Sequence, residues 1–371
     1  MKSAGLSVRE DAIGNIFGRW DGSENSREAI ASGSHIDAIP YAGKYDGVVG
    51  VLGAIEAIRV LRSSGFKPRR SLEVIMFTSE EPTRFGLGCL GSRALAGQAG
   101  FVDVLKKAID IHNISFAEAA KTAGYFEVHE KLEKVALLKG AYSAFIELHI
   151  EQGPTLEKEG IPVGIVTAIA APASLKVEYK GNGGHAGAVL MPFRNDAGLA
   201  AAELALAVEE HVLASGSLDT VGTTGVLELH PGAINSIPRE AHLEIDIRDI
   251  DEKRRDMVVE KVQQSASKIA INRRVQLENF IIVNQDPPAH SGEEVVEAAV
   301  LAAQQLGLQH KLMISRAYHD SLFMARITPM AMIFVPCYRG YSHRLDEYAS
   351  EEDIVGGVKV LALTLARLSL S

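Results

Sequence analysis

Cysteine is nearly absent from this chain. Two residues, Cys89 and Cys337, stand far apart among 371, which excludes a disulfide framework and a zinc finger and leaves buried free thiols as the expected state. An excess of positive charge is also lacking. The formal net charge is −9, and no basic face of the kind nucleic acid requires is legible. Long apolar runs are missing too: GVVGVLGAI and VLALTLARL are too short or too interrupted to span a bilayer. The first residues, MKSAGLSVREDAIGN, hold no apolar core of a secretory leader. They pass straight into strand-like LSVRED and NIFGRW, so a longer parent protein, shortened at this end, is expected. With 47% hydrophobic and 23% charged residues, the composition is that of a globular protein with neither nucleic acid nor membrane as partner. The length predicts two domains rather than one core.

What is present is concentrated between Ser34 and Glu81. Ala29–His35 reads as a short strand ending in SHID. In extended chain His35 and Asp37 point to one side, and a carboxylate beside an imidazole can fix the tautomer that binds a metal. For this pair alone, a hydrogen-bonded histidine near a solvated aspartate is the preferred reading. Residues 47–63 have helical spacing, with Val48, Val51, Leu52, Ile55, Ile58 and Leu61 apolar. Asp46 then sits at a helix start, where an N-cap is its ordinary role and is compatible with ligation. Leu72–Thr78 is a strand of the kind buried on both faces, and it runs into Ser79, Glu80, Glu81 and Pro82. Of two such glutamates one can bind metal while the other faces a water as base. A surface pair is the alternative, disfavoured by the buried strand before it. The glycines of residues 84–100 are not a dinucleotide fingerprint, because no strand feeds them in register.

Residues 101–140 are more polar and helical, an insertion on the same domain. Ala144–His149 is another buried strand ending in histidine, with Glu147, Glu151 and Gln152 close by. Near Pro172 the pattern changes to period two, as in SLKVEYKG. Strands alternating with helices over Ala197–Leu213 and Asp251–Ile271 predict an α+β sandwich. The expected layout is a catalytic α/β domain with a mostly parallel sheet from residues 1–171 and 286–371, interrupted by an inserted two-layer domain at 172–285.

The residues that flank predicted strand ends are His35, Asp46, Glu80, Glu81, His149 and His343. Three imidazoles, a shareable aspartate and a glutamate can ligate two divalent ions bridged by Asp46, with a second glutamate left over as base. Two such ions can polarise a carbonyl and generate a hydroxide at neutral pH. Mixed nitrogen and oxygen donors suit Zn²⁺, Mn²⁺, Co²⁺ or Ni²⁺ without choosing among them.

Seven motifs, in order, are GSHIDAIPYAGKYDGVVGVLGA, FTSEEPTRFG, ELHIEQGP, GNGGHAG, PGAINSIP, EIDIRD and GYSH. Together they resemble the dinuclear metal amidohydrolases of the M20 peptidase superfamily, in the branch of N-carbamoyl-L-amino acid hydrolases, allantoate amidohydrolases and ureidoglycolate amidohydrolases. The resemblance covers nearly the whole chain. It implies that His35, Asp46, Glu81, His149 and His343 are metal ligands, that Glu80 is the general base, and that Asp37 orients His35. It implies that His185, Asn235 and Arg248 meet substrate or transition state, His185 also counting as catalytic, and that Gln152 is a further active-site residue. Two divalent ions per subunit are implied, Mn²⁺ first. So is a homodimer through the inserted domain, which would also be a lid. Without the resemblance, Arg248 would read as a surface salt bridge and His185 and Asn235 as turn residues. Plant members carry a signal for the endoplasmic reticulum, so its lumen is the implied compartment, or the cytoplasm if the chain is complete as given.

Relatives acting on larger ureido acids resemble SGAGHDA where this chain has SRAYHDS, Ser315–Ser321. Tyr318 in place of glycine, beside His319 and Asp320, is expected to shrink the substrate pocket and add a hydroxyl donor, with His319 also expected to meet the substrate. That favours a small hydroxylated ureido acid such as ureidoglycolate over allantoate or larger N-carbamoyl amino acids. A metal-binding homologue without catalysis is the reading from another class, and Glu80 argues against it.

Overall fold

The computed structural model describes residues 1–125 and 131–371. The chain divides into two compact units, Met1–Ile169 with His290–Ser371, and Ala170–Ala289. No helix among the described residues is long and apolar enough to cross a membrane.

In the larger unit the apolar runs form one sheet, nine-stranded among the described residues. Its order is Ser7–Glu10, Ile16–Trp20, Leu72–Phe77, Ala29–His35, Tyr142–Ile150, Met330–Val335, Val163–Ile169, Ala289–His290, with His310–Ser315 also paired to Val163–Ile169. The four strands from Leu72–Phe77 to Met330–Val335 run parallel. Every residue of Ala29–His35 and Met330–Val335 is buried, as a strand covered on both faces requires. Parallel strands send their carboxyl ends to one edge, where open α/β sheets place their sites. Register puts His35 opposite Phe77 and His149 opposite Phe334, so the histidines and the loop bearing Glu80 leave the sheet at that edge.

Helices Val48–Ser63, Glu293–Gln305 and Glu351–Leu370 supply Ala54, Ile58, Ala299, Leu361 and Leu365 to a core shared with Ile146, Leu148 and Ile333. A Cβ on Gly53 would stand 2.6 Å from the Leu148 side chain. The glycine therefore sets how closely this helix approaches the sheet. Truncating a leucine as deeply buried as Leu148 to alanine costs about 2–5 kcal/mol.

Two sequence expectations need correction. The residue capping Val48–Ser63 is Gly47, with no side-chain cap; the Asp46 carboxylate is engaged elsewhere. Val163–Ile169 is a buried strand that the sequence did not set apart. Only Ala170 separates it from Ala171–Lys180, so the two read as one apolar run whose character changes at Pro172. The 101–140 stretch contains helices Phe101–Lys107 and Phe116–Thr122. Ser115 and Glu118 close a capping box on the second, and residues 126–130 of that stretch lie outside the described residues.

The smaller unit has an antiparallel sheet in the order Gln276–Gln285, Ala171–Lys180, Glu240–Asp249, Val221–His230. Alternate residues Leu175, Val177, Leu243 and Ile245 are buried with Leu204 of helix Ala197–Leu213 and Val262 of helix Glu252–Arg273. Asp196 and Asp251 cap these helices through their carboxylates. A short ribbon pairs Gly184–His185 with Ser236–Ile237.

Candidate metal centre

Asp46 is 5% exposed and offers its two oxygens to different neighbours. Its Oδ1 lies 3.5 Å from His35 Nε2 and 3.1 Å from His149 Nε2. Its Oδ2 lies 3.0 Å from His343 Nε2, which is 3.3 Å from Glu81 Oε1. Donors about 2.1 Å from one tetrahedral cation stand roughly 3.4 Å apart, so both groups have the spacing of ligand sets. Apart from His343 Nε2 at 3.3 Å, the buried Glu81 Oε1 has no partner among the described residues, an under-satisfied acceptor of the kind a cation satisfies. The residues present therefore fit two divalent ions with Asp46 between them.

The imidazoles are oriented from behind. His35 Nδ1 lies 2.9 Å from the Asp37 carbonyl oxygen, and His149 Nδ1 lies 2.8 Å from the Ile150 carbonyl oxygen. A proton on each Nδ1 leaves Nε2 free to face a cation. Asp37 thus meets His35 through its main chain, not through the carboxylate expected from sequence, which is 3.8 Å away. That carboxylate instead accepts the backbone amides of Glu80 at 3.1 Å and Glu81 at 2.9 Å.

Glu80 stands beside the ligands, its Oε2 3.8 Å from His35 Nε2 and its Oε1 accepting from Cys89 Sγ at 3.3 Å. Burial pushes its carboxyl up to about 7, with neighbouring Glu81 adding to the rise and His35 opposing it. For Asp46 burial works upward as well, but hydrogen bonds from His149, His343 and His35 hold it well below the usual range. Donating to the Asp46 carboxylate and facing that of Glu81, His343 is raised to about 10. Burial opposes the charged forms of His35 and His149, yet Asp46 raises both.

Further acids lie buried in the same unit. Glu147 is fully buried and accepts from Ser34 Oγ at 2.7 Å and Ser321 Oγ at 2.6 Å. Asp320 accepts from Ser92 Oγ at 2.5 Å, and burial followed by Glu80 and Glu147 pushes its carboxyl well above the usual range. His319 is 2% exposed, with its ring 4.6 Å from that of His149 and its Nε2 2.9 Å from Ser315 Oγ. It lies behind a ligand, buried rather than facing open space. The Tyr318 hydroxyl, expected as a donor, accepts from Arg93 Nη2 at 2.5 Å, and the Arg93 guanidinium covers the Phe323 ring at 4.2 Å. Gln152 donates from Nε2 to Asp46 Oδ2 at 2.9 Å and to Ser342 Oγ at 3.0 Å, while its buried Oε1 has no hydrogen-bond partner among the described residues.

Three expected residues belong to the smaller unit. His185 and Asn235 come together on its ribbon, where Ala186 N–H donates to the Asn235 carbonyl at 2.9 Å. His185 Nδ1 accepts from Gly187 and Ala188 amides at 3.1 and 3.2 Å, which leaves Nε2 as the protonated nitrogen. Arg248 is forked onto Asp246 at 2.7 and 3.3 Å, so the salt bridge within EIDIRDID is real.

Sequence reasoning missed Ser342, Cys89 and Glu347. Cys89 lies among glycines and Ser342 two residues after Gly340, whereas nothing around Glu347 marks it. Ser79, Cys89, Gln152 and His343 have φ of 50°, 56°, 57° and 58°, a strain that gathers at functional sites.

A family profile described as Peptidase family M20/M25/M40 matches residues 31–367. The chain belongs to this family. The M20 chain is 69% identical over 370 residues to the ureidoglycolate hydrolase of Oryza sativa subsp. japonica, covering 100% of this chain and 76% of that protein. It is 69% identical over 372 residues to the ureidoglycolate hydrolase of Arabidopsis thaliana, covering 100% and 78%. The crystal structure of AtUAH in complex with (S)-hydroxyglycine matches with a TM-score of 0.92 at 68% identity, covering 100% of the M20 chain and 88% of that one.

Proposed function

We propose that this protein is a metal-dependent amidohydrolase that cleaves the ureido C–N bond of (S)-ureidoglycolate, yielding glyoxylate, ammonia and carbon dioxide in ureide breakdown. The observation that carries the reading is Asp46, with each oxygen facing a different donor pair, and Glu80 alongside. The similarity to two ureidoglycolate hydrolases and to a structure holding (S)-hydroxyglycine supports the substrate.

His35, Asp46 and His149 would hold one divalent ion and Asp46, Glu81 and His343 the other, with Mn²⁺ the first choice. When bound, the ions supply Lewis acidity toward the ureido carbonyl and lower the pKa of water. Glu80 takes the proton of the attacking water and returns it to the departing ammonia. The carbamate then loses carbon dioxide, and the remaining hydroxyglycine breaks to glyoxylate and a second ammonia. Gln152, with a buried acceptor oxygen unpaired among the described residues, suits a substrate N–H. His185, whose Nε2 is left as donor, and Asn235 suit a developing oxyanion. Arg248 would exchange Asp246 for a substrate carboxylate, a bidentate match. Tyr318, fixed by Arg93, narrows the choice toward a small acid.

A homodimer through the smaller unit is part of this reading. Val221–His230 is an edge strand with Leu227 and Leu229 exposed, and Leu206 and Leu213 on helix Ala197–Leu213 are exposed as well. Unpaired edges of this kind join a second copy readily.

The test is ammonia release from (S)-ureidoglycolate and, separately, allantoate, after chelation and after Mn²⁺ is restored. Mn²⁺-dependent release from ureidoglycolate alone is expected. Release from allantoate instead would sink the role given to Tyr318, and release from neither by a folded, metal-loaded protein would sink the reading.

A further inference from the structure

Glu347 is 4% exposed and belongs to none of the ligand pairs above. Its Oε1 accepts the backbone amides of Tyr45 at 2.9 Å and Asp46 at 3.0 Å. Its Oε2 lies 2.9 Å from Ser342 Oγ, the residue before His343. One carboxylate therefore grips the loop that delivers Asp46 and the loop that delivers His343, segments roughly 300 residues apart in sequence.

Hydrogen counting makes the arrangement directional. Gln152 Nε2 has two hydrogens, one for Asp46 Oδ2 and one for Ser342 Oγ. Ser342 then has a single hydrogen and two acceptors in reach, Glu347 Oε2 at 2.9 Å and Asp46 Oδ2 at 3.2 Å. The shorter contact takes it. Glu347 thus accepts three hydrogen bonds, as a carboxylate can and a carboxamide of the same shape cannot. Glycine at position 43 makes room for this: a Cβ there would collide with the Glu347 carboxylate. His343 has most need of such support. Its side chain is 44% exposed and its backbone is left-handed.

We propose that Glu347 is the positioning residue that sets the separation of Asp46 and His343, and with it the affinity of the Asp46–Glu81–His343 group for a divalent cation. The proposal rests on the dinuclear reading above. A carboxylate that holds ligands from behind typically contributes 10- to 100-fold in metal affinity.

The experiment is calorimetric titration of Mn²⁺ alone into chelated full-length protein, with metal content after gel filtration as a second readout. Wild type is expected to bind two ions. Glu347→Ala should weaken the second ion by about 10- to 100-fold and the first by less, and excess Mn²⁺ should restore kcat toward the wild-type value. Glu347→Gln keeps the shape and so the fold. Its amide turns the Ser342 hydrogen onto Asp46 Oδ2, and an intermediate loss at the second ion is expected. Gly43→Ala, which leaves the carboxylate intact but displaces it, should repeat the Glu347→Ala pattern. Two ions bound with wild-type affinity by both Glu347→Ala and Gly43→Ala would overturn the proposal, as would a wild type that binds none. A wild type that binds two ions yet hydrolyses no ureido acid sinks the proposed activity while the affinities still decide the role of Glu347.

Discussion

Gly47 offers a sharp test of the site geometry. Its backbone sits at φ 65° and ψ −44°, a conformation that side chains avoid. A Cβ there would stand 2.5 Å from His35 Nε2 and 2.6 Å from ring carbons Cδ2 and Cε1, about 1 Å inside ordinary contact. Gly47→Ala therefore combines backbone strain of about 1–3 kcal/mol with overpacking of about 1–3 kcal/mol. For a unit of this size the sum corresponds to a fall in Tm of roughly 5–15 °C. The ring must also retreat from Asp46, which takes apart the group containing His149 and leaves the one containing His343. Melting of the chelated protein by circular dichroism and Mn²⁺ titration read the two effects separately. The expected result is a lowered Tm and loss of one ion of the two. Gly65→Ala is the control: φ there is 81° but a Cβ meets nothing within 4 Å, so only the backbone cost of about 1 kcal/mol applies and metal binding is untouched. A Gly47→Ala protein with the wild-type Tm and two bound ions would refute the reasoning.

Glu80→Gln should lower kcat by about 10²- to 10⁴-fold while both ions stay bound; activity within tenfold of wild type would exclude Glu80 as the base. Mn²⁺ binding near pH 7 should release protons, because ligation needs neutral imidazoles and His343 is raised to about 10. The slope of binding enthalpy against buffer ionisation enthalpy counts those protons, and a slope of zero would contradict the pairing with Asp46 and Glu81. In chelated protein the same pairing stabilises fully below the unfolded value of 6.5 and is lost as pH rises through about 10. The Asp46 contribution has the opposite sign, present above 3.8 and lost as pH falls through its depressed value. Denaturant midpoints across pH on the metal-free protein should therefore fall toward the alkaline side, and recover there when Mn²⁺ is added.

Most of the parallel strands were readable because burial on both faces writes itself into sequence as short runs without charge alternation, Val163–Ile169 being the exception, and His35, Glu80 and His149 were readable because they punctuate those runs. Asp46 was only half readable. Its place before an apolar helix suggests a cap, yet the cap falls to Gly47, since three imidazoles and Gln152 compete for the carboxylate. Asp37 shows the same limit: period two put it beside His35, but the choice between carbonyl and carboxylate depends on where the Glu80–Glu81 peptide arrives. Glu347 left no local trace. Two of its three partners lie roughly 300 residues away, and in sequence it is one acid among several near the chain's end. Tyr318 was visible only through the resemblance, as a ring where relatives carry glycine, but not its acceptance of Arg93, which fixes the ring.

Adjacent glutamates can divide two tasks only if the chain between them is held. Ser79, at φ 50°, turns the backbone just before the pair, and the two Asp37 oxygens take one amide each. The carboxylates then part: Glu80 goes to His35 and Cys89, Glu81 to His343. The same loop gathers more acid than the protein alone can balance. Asp46, Glu80 and Glu81 are all buried, Asp320 and Glu147 are buried with them, and one oxygen each of Glu81 and Asp320 has no hydrogen-bond partner among the described residues. Burying that many carboxyls costs several kcal/mol per ion if they stay charged, and the raised values of Glu80 and Asp320 are the metal-free protein's response. Divalent cations at these groups would oppose that response and favour the ionised form that the role proposed for Glu80 requires. Surplus buried acid thus has one physical remedy in the proposed reading, positive charge at the two ligand groups.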